Sequence, residues 1–287
     1  MACRFMGISR QAYYKRVACE RRRKEHHASV VELVRHERCW HPRIGTRKLH
    51  HMLHEPLQRQ GIAIGRDAMF DVLRRASLLV RPLRAHHKTT NSHHFYRRHP
   101  NLLKDGAANV VPTGCEQVWV ADITYLRTRE QMVYVSLITD AYSRKITGWH
   151  VHDGMSTGQV SQAFRMALRQ RQTSQPLVHH SDRGIQYCSL EYQRIHARHG
   201  ITCSMTDGYD CYQNALAERV NGILKMEYLL QTPADLKQAK QMVSQSVRLY
   251  NEKRPHLSLE YETPDAMHRA SLAAQRQLAT RPEQVST

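Results

Sequence analysis

Three carboxylates stand where the sequence gives them chemical significance. Asp122 lies in the middle of the apolar run VWVADITYL, Asp182 closes LVHHSD just before RGIQ, and Glu218 lies within NALAERVNGILKMEY. A charge inside an apolar strand is costly unless it is paired or bound to a cation. Hard divalent cations such as Mg²⁺ take carboxylate oxygens and leave positions open for water and phosphate. Two such ions about 4 Å apart activate a nucleophile and stabilise the leaving oxygen of an in-line phosphodiester displacement. Two strand aspartates and one helix glutamate can supply that clamp, with Mn²⁺ as a substitute ion. For each acid taken alone, an ordinary surface or salt-bridged carboxylate remains the alternative. Asp140, in VSLITDAYSR, also follows an apolar run, but its neighbours AYSRK read as a strand end entering a hairpin, which makes it structural.

The elements that must position these acids can be read from periodicity. EQVWVADITYLRT and QMVYVSLITDAYSRKITGWHV are rich in β-branched and aromatic residues, with a polar break near 127–131, as expected for adjacent antiparallel strands. STGQVSQAFRMALRQR has helical spacing, PLVHHSDRGIQY is a short strand entering a turn, SLEYQRIHARHG is a helix ended by Gly200, and ITCSMT is a further strand. NALAERVNGILKMEYLL and PADLKQAKQMVSQSVRLYNEKRPH are helical. At about 100° per residue, Asn214, Glu218, Asn221, Lys225 and Tyr228 form one polar stripe. Leu216, Val220, Ile223 and Leu224 lie opposite, with Glu227 out of place among them. A strand meander followed by strands alternating with helices predicts a mixed α/β sheet.

The chain has 287 residues and a formal net charge of +18, unevenly spread. Residues 1–110 hold 23 basic and 8 acidic side chains, while residues 111–287 hold 20 and 17. A basic third joined to a nearly neutral remainder points to a polyanion-binding arm, with nucleic acid as the leading partner. No apolar run is long enough to span a membrane, and the opening MACRFMGISRQAYYKR has no apolar signal region, so a cytoplasmic protein is expected. Seven cysteines without a C-x-x-C pair argue against a disulfide framework and a Cys-based zinc ribbon. Residues 1–28 are polar; Ser9 is a candidate N-cap, with RQAYYKR as a short helix after it. Residues 29–80 read as helical, with Met69, Val72, Leu73 and Ala76 on one face of GRDAMFDVLRRASLL. Residues 81–113 read as a linker.

The 35 residues between Asp182 and Glu218, with Asp122 before them, resemble the D,D(35)E pattern of retroviral integrases and related transposases. VWVADITYL, ITDAYSRKITGW, HHSDRGIQY, YQNALAERVNGILKMEY and RLYNEKRPHLSLEYETPDAMH together look like the second-frame product (OrfB) of the insertion-sequence family numbered three. The resemblance implies an RNase-H-like mixed sheet flanked by helices at residues 114–272. It also implies a small all-α helix-turn-helix-like domain before the core, and residues 273–287 are expected to be a disordered tail. It implies a DNA transposase that cuts element-end strands and joins the 3′-OH to a target phosphodiester by two-metal-ion catalysis, with Asp122, Asp182 and Glu218 as both the catalytic and the metal-binding acids. Lys225 matches a lysine that contacts DNA near the active site, while Arg47, Lys48 and Arg66 become candidate phosphate contacts. His180 and Arg183, flanking the second acid, are weaker candidates of the same kind. The expected partners are transposon-end and target DNA, and either further copies of this chain or the upstream-frame product, at the bacterial nucleoid. In such families a DNA-end-binding frame is fused ahead of this one, and the first helix of the opening pair would lie before Met1. Two other readings are a non-catalytic DNA-binding regulator or partner of the fused transposase, and a nuclease acting on RNA–DNA hybrids.

Overall fold

A computed structural model describes residues 7–81, 99–104, 109–207 and 214–280, with side chains described to residue 278. The chain divides into two compact units, Met1–Leu83 and Arg84–Thr287.

The first unit is helical. Ser9 caps helix α1, Arg10–Trp40, its hydroxyl accepting the Ala12 N–H at 3.1 Å. The short helix expected at RQAYYKR is therefore the start of a 31-residue helix that runs through the boundary drawn at 28/29. No Gly or Pro interrupts this stretch, Arg16–Glu20 and Arg21–Glu25 pair one turn apart, and Pro42 follows its end. The helix buries only Val30 and Val34, in its second half. These pack with Ile44, Leu49, Leu53, Leu57, Met69 and Leu73 from three shorter helices, α2 (Thr46–Met52), α3 (His54–Arg59) and α4 (Arg66–Arg75).

The second unit is built on five strands: β1 (Val118–Arg127), β2 (Met132–Asp140), β3 (Ile146–His152), β4 (Val178–Ser181) and β5 (Thr202–Met205). Their order is β3-β2-β1-β4-β5, with the first three antiparallel and β4 and β5 parallel to β1. The polar break at 127–131 is the β1–β2 turn, where the Thr128 hydroxyl donates to the Gln131 carbonyl at 2.8 Å and accepts its N–H at 2.9 Å. Asp140 holds the β2–β3 turn: it accepts the Glu116 N–H at 2.6 Å and the Ser143 N–H and hydroxyl, both at 2.7 Å. Its structural reading stands on those bonds.

Alternate strand residues feed two cores. Trp119, Ala121 and Ile138 pack under α5 (Thr157–Gln170) and α7 (Leu190–His199), which follows the single turn α6 (Ile185–Cys188). Val133, Val135 and Leu137 pack under α8 (Ala215–Ile223) and α9 (Leu236–Lys253). Gly200 ends α7 in the left-handed conformation, φ 62°, where glycine carries no Cβ penalty. Part of the expected linker lies along β5: the Met205 N–H donates to the Pro100 carbonyl at 3.2 Å and the Leu102 N–H to Ser204 Oγ at 2.9 Å, covering a sheet edge. Of that segment, residues 82–98 and 105–108 lie outside the described part. The last helix, α10, runs Pro264–Thr280, eight residues into the expected tail, because SLAAQRQLAT contains neither Gly nor Pro. Residues 281–287 lie outside the described part. Cys19 and Cys39 are exposed, Cys115, Cys188 and Cys203 are buried, and all five are unbridged. Among the described residues no helix is long and apolar enough to cross a membrane.

Helix α5 and β3 approach closely at Gly148. A methyl group at Gly148 would overlap the Ala163 carbonyl oxygen and come within 2.9 Å of the Ala167 nitrogen, so helix backbone, and not a flexible side chain, occupies the space. Gly148→Ala is expected to lower stability by about 1–3 kcal/mol or more through overpacking. Urea unfolding of the two proteins checks this; equal midpoints would show that α5 can move away at no cost.

Candidate active site

Strand β1 pairs with β2 from Trp119 to Arg127 but with β4 only from Val118 to Val120. Past Val120 its second edge is open, because β4 ends at Ser181 and the chain turns away at Asp182. Val120 lies opposite His180 in parallel register, so Asp122 and Asp182, each two residues further on, stand level across the opening. Asp182 Oδ1 accepts the Gly184 N–H at 3.0 Å, which tightens the turn. Both aspartates line a cleft of about 560 Å³, walled by Ile123, Thr124, Tyr125, Met132, Tyr134, Met155 and the turn 184–187.

Helix α8 is fastened to β1 by two amides. Asn214, just before the helix, donates from Nδ2 to the Ala121 carbonyl at 3.0 Å, and Asn221 Nδ2 donates to Asp122 Oδ2 at 2.7 Å. Sequence periodicity puts both asparagines on the polar stripe, but only the structure reveals what they hold. Glu218 lies between them in the first turn and is exposed. It does not line the cleft, yet its charge acts on Asp122. Among the described residues no set of three or more His, Cys, Asp or Glu side chains is gathered tightly enough to ligate a metal. The structure therefore brings the two aspartates together and sets Glu218 beside them.

Burial first, and then the neighbouring negative charge of Asp182, push the Asp122 carboxyl up from 3.8 to about 7. The Asn221 amide and the Ile123 N–H work against that shift, and Glu218 adds to it. The amide oxygen of Asn221 is also buried without a partner. Crowded hard oxygens carrying excess negative charge fit a divalent cation such as Mg²⁺.

The stripe drawn at 100° per residue fails beyond Ile223. Leu224–Tyr228 is a π-helical turn, wider than the preceding α-helix. Glu227, out of place on the expected apolar face, meets Arg254 in a two-pronged ion pair: Nη2 to Oε1 at 2.7 Å and Nε to Oε2 at 2.8 Å. This pair was not legible in the sequence; the charge on an apolar face was its one signal. Lys225 Nζ lies 4.2 Å from the centroid of the Tyr125 ring, within electrostatic reach of Asp122. Burial lowers its pKa, and Asp122 opposes that.

The remaining candidates lie elsewhere. His180 is buried, with Nδ1 2.8 Å from Ser204 Oγ on β5. Arg183 follows Asp182 directly in the turn. In the first unit Arg47 is exposed and Lys48 half-buried on α2, and Arg66 opens α4 with Nε 2.9 Å from Asp67 Oδ1.

Residues 112–211 match the family described as integrase core domain, and residues 199–264 match a second family of the same description. The chain is 36% identical over 230 residues to the insertion element IS600 uncharacterized 31 kDa protein of Shigella sonnei, covering 79% of this chain and 82% of that one. It is 31% identical over 232 residues to transposase InsF for insertion sequence IS3A of Escherichia coli K12, covering 78% of this chain and 77% of that one. The chain belongs to the IS3-type transposases. Among solved structures, the HTLV-2 integrase catalytic core domain in complex with magnesium, in its trimeric form, aligns over 54% of this chain and 98% of that one, at 20% identity and a TM-score of 0.45. The transposase has a five-stranded mixed sheet flanked by helices in its integrase core domain, and a helical unit before it in the chain.

The raised carboxyl has a consequence for stability. Below about pH 4 Asp122 is protonated in both the folded and the unfolded chain; between pH 4 and 7 the fold keeps a proton that the unfolded chain releases. Metal-free stability therefore falls as pH rises through that window. Asp122→Asn is expected to raise the unfolding midpoint of the metal-free transposase at pH 8 and to change it little at pH 4. Thermal unfolding in EDTA at the two pH values checks this; an equal effect at both would remove the electrostatic account.

Proposed function

We propose that Asp122, Asp182 and Glu218 are the catalytic, metal-holding acids of this DDE-type DNA transposase. One observation carries the reading: β1 and β4 part so that Asp122 and Asp182 stand level in one cleft, where mutual charge and burial call for a cation. Mg²⁺, or Mn²⁺ in its place, supplies the charge that activates the attacking oxygen and stabilises the leaving one. The chain's own contribution is geometric. Asn221 fixes the Asp122 carboxylate against α8, the Gly184 N–H orients Asp182, and Asn214 keeps the start of α8, and with it Glu218, close to β1. Lys225, held over Tyr125, supplies a positive charge for a phosphate at the mouth of the site.

The substrate is element-end DNA, whose freed 3′-OH attacks a target phosphodiester. Arg47, Lys48 and Arg66 make backbone contacts that position the duplex without reading its sequence. Because two DNA ends must meet, the working form is an assembly of several copies, or of this chain with the upstream-frame product, acting on nucleoid DNA in the bacterial cytoplasm.

Asp182→Asn and Glu218→Gln are each expected to abolish Mg²⁺-dependent joining of oligonucleotides carrying the element's ends, while DNA affinity stays within a few-fold. A strand-transfer assay paired with a salt-titrated binding measurement checks this, with the chain alone and with the upstream-frame product. Full joining by either variant would overturn the assignment.

A further inference from the structure

The catalytic cleft is larger and more aromatic than a phosphodiester requires. Asp122 and Asp182 occupy one part of its 560 Å³, and Ile123, Tyr125, Met132, Tyr134 and Met155 wall the rest. Ile123 packs against the core, but the others are not core side chains: Met132 and Met155 are 38% and 40% exposed, and both tyrosines are half-buried. We propose that Tyr125 and Tyr134 form a stacking platform for one unpaired DNA base next to the scissile phosphate, an inference that rests on the acids being the catalytic centre.

The platform is built by strand register. Tyr125 on β1 is directly opposite Tyr134 on β2, and Tyr134 is directly opposite His152 on β3. The Tyr134 ring stacks on His152 with centroids 5.8 Å apart and planes 25° apart, and His152 stacks on His150 at 5.6 Å and 13°. His152 is itself fixed, Nδ1 donating to the Gly154 carbonyl at 2.6 Å and Nε2 accepting from the Ser136 hydroxyl at 2.9 Å. Burial lowers its pKa, which keeps the ring neutral with that proton placement. Tyr134 therefore enters the cleft with its position already set, so little ordering remains to be done when a flat ligand arrives.

The sequence of chemistries along the cleft matches a nucleotide. The aspartates answer to a phosphate through a divalent cation, and Lys225, 4.2 Å from the Tyr125 centroid, places positive charge at the junction. Tyr125 and Tyr134 follow, where a base attached to that phosphate would reach. A base within a duplex is turned inward and stacked on its neighbours, and enzymes that need it elsewhere take it out of the stack. An aromatic surface recovers part of that cost and accepts any base, because every base has a π-face. Gln186, in the same wall, donates to the Met155 carbonyl at 3.2 Å. The platform therefore grips a base without identifying it.

The test is a two-way cycle between side chain and base. Strand-transfer rates are measured for the unsubstituted chain, Tyr134→Ala, Tyr134→Phe, Tyr125→Ala and Tyr125→Phe, with the upstream-frame product present. The substrates are element-end duplexes in which a single abasic site is walked through the three nucleotides on each side of the cleavage position. On intact DNA the alanine variants are expected to be slower by about 5- to 100-fold, the range for loss of one stacked base, with the phenylalanine variants near the unsubstituted rate. At one abasic position the unsubstituted chain should fall to the alanine level, so that the substitution no longer matters there. An alanine defect of the same size at every position, as misfolding would give, together with an unsubstituted chain indifferent to base removal, would overturn the platform. Absence of any joining by the unsubstituted chain would instead overturn the proposed function, and the platform with it.

Discussion

Strand β1 is paired with a strand on both sides only at Trp119 and Val120. Before the split it is an ordinary central strand, buried on both faces because helices cover the sheet on each side. After it, one backbone edge and the side chains beside it face a cleft. The first acid lies just past the split, the second lies level with it, and α8 is tied to the strand on both sides of the same point, at Ala121 and Asp122. If β4 were two residues longer and stayed in register, the opening would close over Asp122. The rigid part of the sheet sets the position, and its interruption makes the position usable.

That arrangement leaves a carboxylate in surroundings that resist its charge. The amide of Asn221 and a backbone N–H supply only dipoles, while a second aspartate adds repulsion. The site is thus strained in its electrostatics when empty, in keeping with the general finding that perturbed acids gather where chemistry is done. The nearby π-helical turn adds a second irregularity. A regular helix would carry residues 224–228 around by 100° steps; the wider turn instead presents Lys225 to Tyr125 and sends Glu227 to Arg254.

Much of this was readable from residue types. A lone aspartate in VWVADITYL marks itself, because the surrounding run can only be a buried strand. The stripe through Asn214, Glu218 and Asn221 follows from helical spacing, and Gly200 marks its helix end through its αL preference. What could not be read depends on partners distant in the chain or on departures from ideal geometry. Glu227 looked like an error in an apolar face because Arg254 lies 27 residues away. The Tyr125–Tyr134–His152 row requires two strand registers at once, which no local pattern specifies. The continuity of α1 was obscured by composition: a charged run looks like a boundary, yet it contains nothing that breaks a helix.

The Glu227–Arg254 pair also bears on how such a gene decays. A copy that ends shortly before Arg254 would still encode all five strands and Asp122, Asp182 and Glu218. It would nevertheless leave the partly buried Glu227 carboxylate without its cation, and removing one partner of such a pair costs more than the pair itself contributes. An open frame that keeps its D, D and E can therefore still lack the cation that anchors the turn carrying Lys225.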